Sequence, residues 1–373
     1  MSTPTSTAGA GPRTGGGAVR VGALVPLSRP GWAEAGRQLL AGLELGVHEV
    51  NDGGGIGGRP VELLVRDTAA DPERAVTAVD ELAGLGVVAV TGEYHSVVAR
   101  AAAARADALG LPFLCSSAVI DALVDEPAEW VARLPPPQSR GWRVYADFLL
   151  GAGHRRIAAA VQPSVYWESG IRILRDHLAA HGGAVTALDV RALDPSALCD
   201  ELAALGATAL LLLAGSPEPS VPLVKAVRAD PRLAQVLVGA PAGQPEFAEW
   251  AAALGRDGAG IPFLRYLPER PGPLGERVGA ALRARLGGAP SFVAFEGYDA
   301  VAVLASVLRA HGTDRSRVAA AWPAVDVEGT RGRITFSRTP GTGVWQWGRP
   351  PVQVVDRDPA GSAGDGFRVL HTG

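Results

Sequence analysis

The sequence predicts an α/β protein built as two lobes, each a parallel sheet flanked by helices. Three observations carry that prediction. The chain has 373 residues, more than one hydrophobic core usually serves, so two cores are expected. Apolar residues make up 47% and charged residues 20%, a globular balance. Short apolar runs alternate with longer amphipathic stretches in two successive series, the pattern of βαβ units under a sheet covered on both faces.

In the first series VRVGALVP (19–26), PVELLVRD (60–67), VVAVTG (87–92) and LPFLCSS (111–117) read as buried strands. The Ala/Leu/Arg-rich segments between them read as helices. The proline-rich ARLPPPQSRG (132–141) closes that series, and RRIAAAVQ (155–162), AVTALDV (184–190), TALLLLAG (208–215) and QVLVGAP (235–241) form the second. A third piece follows: IPFLRYLPERPGP (261–273) leads into helix patterns that end with FVAFEGYDAVAVLASVLRAHG (292–312). The Gly/Pro-rich stretch 327–358 is strand-like and reads as antiparallel or hinge strands. Residues 1–18 read as a disordered tail, and the segment after Asp358, with several small residues, as a loose C-terminal end.

Composition excludes several function classes. The net charge is −3, with 35 basic residues scattered among 38 acidic ones, so nothing marks a nucleic-acid partner. No apolar run reaches the 18 or more residues of a bilayer span, so no membrane insertion is expected. Cys115 and Cys199 stand far apart without a C-x-x-C or Cys/His cluster, which argues against a disulfide framework or a structural zinc and for free thiols. The glycines of GGGIGG (53–58) read as a turn, because a dinucleotide fingerprint needs a strand before it and a helix after it. No cofactor and no metal are expected. The N-terminal stretch carries no basic region followed by an apolar core, and no lipid-acceptor Cys. The expected location is cytoplasmic if Met1 is the natural start, and extracytoplasmic if an export signal has been removed.

The segment NDGGGIGGRPVELLVRDTAADPERAVTAVDEL (51–82) resembles the first β-α-β passage of the Leu/Ile/Val-binding proteins, the amino-acid-binding branch of the type I periplasmic-binding family. Residues 19–51, EGYDAVAVLASVLRAHG (296–312) and GTRGRITFSR (329–338) resemble the same family in the same order. The resemblance covers about 19–358. It implies a two-lobed type I periplasmic-binding fold with three crossovers between lobes: lobe 1 at 19–137 plus 266–335, lobe 2 at 138–265 plus 336–358, and a C-terminal tail at 359–373.

In open parallel sheets ligands sit beyond the carboxyl ends of the strands. The loops to consider are therefore 28–32, 92–96, 115–119, 164–169, 214–218 and 239–243, with the EGYD turn at 296–299, whose Tyr298 and Asp299 read as structural. In the amino-acid-binding relatives a Ser and a Thr of lobe 1, with backbone amides, hold the α-carboxylate, and a lobe 2 acid holds the ammonium. The resemblance places the Ser on Ser96 and the backbone position on Ser117, but the Thr position falls on Val119 and the acid near Pro241. A buried ammonium without a carboxylate partner would cost roughly 3–5 kcal/mol. A simple α-amino acid is thus not the expected ligand, unless Glu218 or Glu246 supplies the acid from a shifted position.

Aromatic and ionisable residues fill these loops instead: Trp32, Glu93, Tyr94, His95, Tyr166, Trp167 and Glu168. Such walls suit a ring-containing or amphipathic metabolite. The expected ligand contacts are Trp32, Tyr94, His95, Ser96, Ser117, Val119, Trp167 and Ser216; of the adjacent Tyr166 and Trp167, only one is expected to face the ligand. The leading function is binding of a small molecule with hinge closure, the output being delivery to a permease or signalling through a regulatory partner. The alternative is a fold converted to an enzyme of specialised metabolism, with Glu93 and His95, and Cys115 or Glu168, as acid–base and nucleophilic groups. Cys115 also has the plainer reading of a small apolar residue at a strand end.

Overall fold

The computed structural model describes residues 17–338, 342–360 and 366–373. Of the expected N-terminal tail, residues 1–16 lie outside the described residues. The first lobe opens with β1 (Val19–Val25), α1 (Ala33–Asp52), β2 (Val61–Asp67), α2 (Pro72–Gly84), β3 (Ala89–Gly92), α3 (Ser96–Ala108), β4 (Phe113–Cys115) and β5 (Val131–Arg133). The second holds α4 (Gln138–Gly151), β6 (Arg156–Val161), α5 (Val165–Ala180), β7 (Ala184–Asp189), α6 (Pro195–Leu205), β8 (Ala209–Leu213), α7 (Ser220–Ala229), β9 (Leu237–Gly239) and α8 (Ala248–Leu254). Each apolar run of the two series forms a strand inside its expected limits. The helices start where the sequence provides caps: Asp71 accepts from the amides of Glu73 and Arg74 with Pro72 at the first position of α2, and Asp194 with Pro195 does the same for α6.

The rest of the chain runs through β10 (Phe263–Arg265), α9 (Pro273–Leu286), α10 (Phe292–His311), α11 (Arg315–Ala320), β11 (Asp326–Gly329), β12 (Gly332–Arg338), β13 (Trp345–Trp347), β14 (Gln353–Arg357) and β15 (Phe367–Thr372). Among the described residues the strands form an eight-stranded sheet of order β11-β12-β13-β5-β4-β3-β1-β2, a four-stranded sheet β7-β6-β8-β9 and a three-stranded sheet β10-β14-β15. The small sheet sits with the second lobe. The Ala240 amide, just beyond β9, donates to the Pro262 carbonyl, and the Tyr145 hydroxyl of α4 donates to the same oxygen. The chain therefore passes between lobes three times, after β5, after β10 and after β13.

In two places the chain departs from what its sequence suggests. The third passage was placed at 336, yet β12 pairs antiparallel with β13, and β13 pairs parallel with β5. That pairing holds the chain in the first lobe as far as Trp347. The C-terminal tail was read as loose from Asp358, but Phe367–Thr372 pairs antiparallel with β14. Without β15 one edge of β14 would present unpaired backbone groups; the small residues at 359–366 obscure this strand in the sequence.

Close packing of α10 on α1 returns the third piece to the first lobe. A Cβ at Gly42 would collide with the Ala294 carbonyl, and one at Gly297 with the Leu39 carbonyl, so two glycines let the helix backbones touch. The EGYD residues, expected as a turn, lie inside α10. Their role is structural: buried Arg331 pairs with Glu296 at 3.1 Å and with Asp299 at 2.8 Å, and Asp299 also accepts from the Thr330 amide and hydroxyl. This network ties the β11–β12 hairpin to α10. Gly42→Val is expected to destabilise the protein by about 3 kcal/mol in urea unfolding. Gly84→Ala, at an exposed helix end with open space around it, is expected to leave stability unchanged or slightly raised.

Candidate functional site

The strand ends of both lobes open onto one cavity of about 460 Å³. From the first lobe come Trp32 at the cap of α1, Tyr94 and His95 beyond β3, Ser96, Val97 and Val98 at the start of α3, Ser117 and Val119 beyond β4, and Phe292 at the start of α10. From the second come Gln162, Ser164, Tyr166 and Trp167 around the β6–α5 junction, Gly215 beyond β8 and Ala242 beyond β9; Tyr266 enters from the strand that crosses between lobes. Seven of the eight expected contact residues share this wall. Ser216 does not: it lines a neighbouring depression with Glu34 and Glu218.

Among the described residues the cavity wall contains no Asp, Glu, Lys or Arg. Neither acid considered as a shifted ammonium partner reaches it. Glu218 stays in the outer depression, and Glu246 is buried against Arg265 at 3.1 Å while accepting from the Phe292 amide. Burial still pushes the Glu246 carboxyl up, against the pull of Arg265. The apolar side is aromatic. The Tyr166 and Trp167 rings lie 4.8 Å apart and both line the cavity, which corrects the expectation that only one would. They occupy the first turn of α5, whose end faces the cavity, so successive residues both reach it. Burial holds Tyr94, Tyr166 and Tyr266 as neutral phenols.

The polar side is the start of α3. The amides of Ser96, Val97 and Val98 have no acceptor among the described residues, and its N-cap His95 makes no capping bond. Free amides at a helix start favour an anion. The Ser96 hydroxyl accepts from the Ile120 amide at 3.3 Å, and Ser117 lies 3.3 Å from Ser116 and hydrogen-bonds the buried Glu296 carboxyl behind the wall. His95 is held from both sides: Nε2 accepts from the Trp32 amide at 3.4 Å, and Nδ1 faces Glu93 at 3.3 Å. An amide can only donate, so in the neutral ring the proton belongs on Nδ1.

The four residues of the enzymatic alternative do not converge. Glu93 is fully buried behind the loop, where it accepts from the Thr68 hydroxyl at 2.6 Å and from the amides of Tyr94 and His95; its oxygens are spent on shaping that loop. Glu168 is exposed and outside the wall. Cys115 is buried, its thiol 3.6 Å from the Ala118 carbonyl and pushed up to about 12 by burial, which leaves almost no thiolate at neutral pH. Tyr266 and Phe292 were missed in the sequence. Tyr266 had a signal, an aromatic residue directly after a strand; Phe292 had none beyond its place at the start of a helix.

Residues 18–347 match the family model described as periplasmic binding protein. The chain belongs to the periplasmic binding protein family. Among curated relatives of this periplasmic binding protein, Leu/Ile/Val-binding protein homolog 1 of Brucella abortus is 35% identical over 80 residues, 21% of each chain; the match thus spans about a fifth of that relative's length. A leucine-binding protein from Thermotoga maritima superposes with a TM-score of 0.80 at 19% identity, covering 95% of this chain and 98% of that one. A solute-binding protein of an R. palustris ABC transporter, in complex with benzoate, superposes with a TM-score of 0.77 at 21% identity, covering 95% and 96%. These likenesses show the fold. Among the described residues no helix is long and apolar enough to cross a membrane.

A thiol reagent at pH 8 is expected to find neither Cys115 nor Cys199 in the native protein, and both after unfolding in urea, since burial raises both thiols. Rapid native labelling of Cys115 would revive the nucleophile reading of that residue.

Proposed function

We propose that this protein captures a small aromatic carboxylate, or a carboxylate of similarly apolar body, between its lobes and releases it unchanged to a membrane permease. The single observation that carries the reading is the wall itself, aromatic from both lobes and free of side-chain carboxylates, with the open amides of α3 at one end.

A free carboxylate meets the positive end of a 13-residue helix and the Ser96 hydroxyl at its start, a favourable setting without any cation. An ammonium in the same cavity would meet no carboxylate and would lose its hydration uncompensated. The Val119 side chain removes the hydroxyl that the resemblance to amino-acid receptors would place there. The benzoate bound by the R. palustris protein is of the class that these features favour. Family membership supports the delivery step, since handing a captured solute to a transporter needs only hinge closure and opening.

Thermal shift and calorimetry with benzoate, 4-hydroxybenzoate, leucine and benzylamine test this. The two acids are expected to raise the melting temperature, with a stabilisation of about 2.7 kcal/mol at a hundred times the dissociation constant. Leucine and benzylamine are expected to do nothing. Leucine as the tightest ligand would overturn the reading. Trp32→Ala is expected to weaken benzoate binding by roughly ten-fold, the scale of one aromatic contact.

A further inference from the structure

The two lobes are fastened beside the cavity by side chains that do not line it. Glu34, in the first turn of α1, reaches across to the second lobe and accepts from the amides of Ala248 at 2.7 Å and Glu249 at 2.9 Å, the start of α8. The N-cap of α8 is Phe247, which makes no side-chain capping bond. The acceptor for these amides therefore comes from the opposite lobe. Arg37, three residues on in α1, stands 3.5 Å from Glu249.

The converse contact lies on the other side of Phe247. Glu246, on the second lobe, accepts at 3.0 Å from the Phe292 amide at the start of α10 in the first lobe, whose N-cap Ser291 also makes no side-chain capping bond. Between the two carboxylates the Phe247 ring packs edge-on against Trp32 and Tyr94, each with centroids 6.1 Å away. Arg357 of β14 donates to the carbonyls of Pro245, Glu246 and Phe247, so this stretch of the second lobe is held from behind and presented as a unit.

We propose that Glu34 is a positioning residue for ligand capture, which fastens the lobes over the cavity and so sets affinity and release rate without touching the ligand. The assignment rests on the reading of the cavity as the ligand site. A contact made only when the lobes meet favours the closed form by its own free energy, and the ligand affinity rises by the same factor as the closed population. Glu246 acts in the same direction, but its burial with Arg265 makes its loss a folding defect, so Glu34 is the residue to test.

Glu34→Ala and Glu34→Gln are to be compared with wild type in the full chain. Small-angle scattering of the unliganded proteins reads the lobe equilibrium without any ligand, and Glu34→Ala is expected to have the larger radius of gyration. Stopped-flow tryptophan fluorescence with benzoate is expected to show dissociation about ten-fold faster in Glu34→Ala, the scale of one charge-assisted contact, with association unchanged. Glu34→Gln, which keeps one acceptor oxygen, is expected to fall between. Equal radii, or a larger radius in Glu34→Ala with an unchanged dissociation rate, overturn the proposal. If no aromatic acid binds the wild type while Glu34→Ala still expands, the ligand reading fails and the fastening role stands.

Discussion

The architecture depends on the place where α1 and α10 touch backbone to backbone. Gly42 and Gly297 make that approach possible, and through it residues separated by more than 250 positions in the chain share one core. Without the contact, the segment from α9 to β13 would lose its most extensive packing on the first lobe and keep smaller contacts, such as those of α10 with β3 and β4 and of β13 with β5. Arg331 reinforces the arrangement by pairing with both Glu296 and Asp299 of α10, one positive charge shared by two buried carboxyls, of which burial pushes Glu296 up to about 7. Such a pair is weak evidence for net stability but a strict condition on geometry, because removing either partner leaves a buried charge.

With both lobes fixed, the chemistry of the cleft follows from where charges are used up. Glu93 is consumed by its own loop, and Glu246 by Arg265 and the Phe292 amide. Glu34 is consumed by the amides of α8. Each is close to the cavity and none lines it. What remains at the wall is aromatic surface, a few hydroxyls and the unpaired amides of α3, a setting that accepts one negative charge and rewards a flat apolar body. Of the groups considered for acid–base chemistry, Glu93 is bonded within its own loop and Glu168 lies outside the wall, while His95 lines it, held between the Trp32 amide and Glu93.

Much of this was legible in the sequence. The βαβ alternation located the strands of both series because a strand buried on both faces must be apolar throughout, as in β8, and such runs stand out. Loops at strand ends then gave Trp32, Tyr94, His95, Ser96, Ser117, Val119 and Trp167, since the topology forces those ends to one edge. The sequence was silent where contacts bridge distant segments. Nothing local distinguishes Glu34 from any acid in a first helical turn, and the amides that it caps lie 214 residues away. Tyr266 follows β10, in a segment that the sequence shows only as leading into helix patterns, and β15 is too mixed in character to announce itself. Ser216 was placed in the wall by loop position alone; the chain turns outward there, and Gly215 takes its place at the wall.

The proposed selection of a carboxylate lacking an ammonium rests on the aromatic wall and the open α3 amides. A crystal structure of the protein grown with equal concentrations of benzoate and leucine tests it most directly. The account predicts ring density among Trp32, Tyr94, Tyr166 and Trp167, with the carboxylate against the amides of Ser96, Val97 and Val98. Density for leucine in that cavity, its ammonium paired with a carboxylate brought in from Glu218 or Glu246, would contradict it.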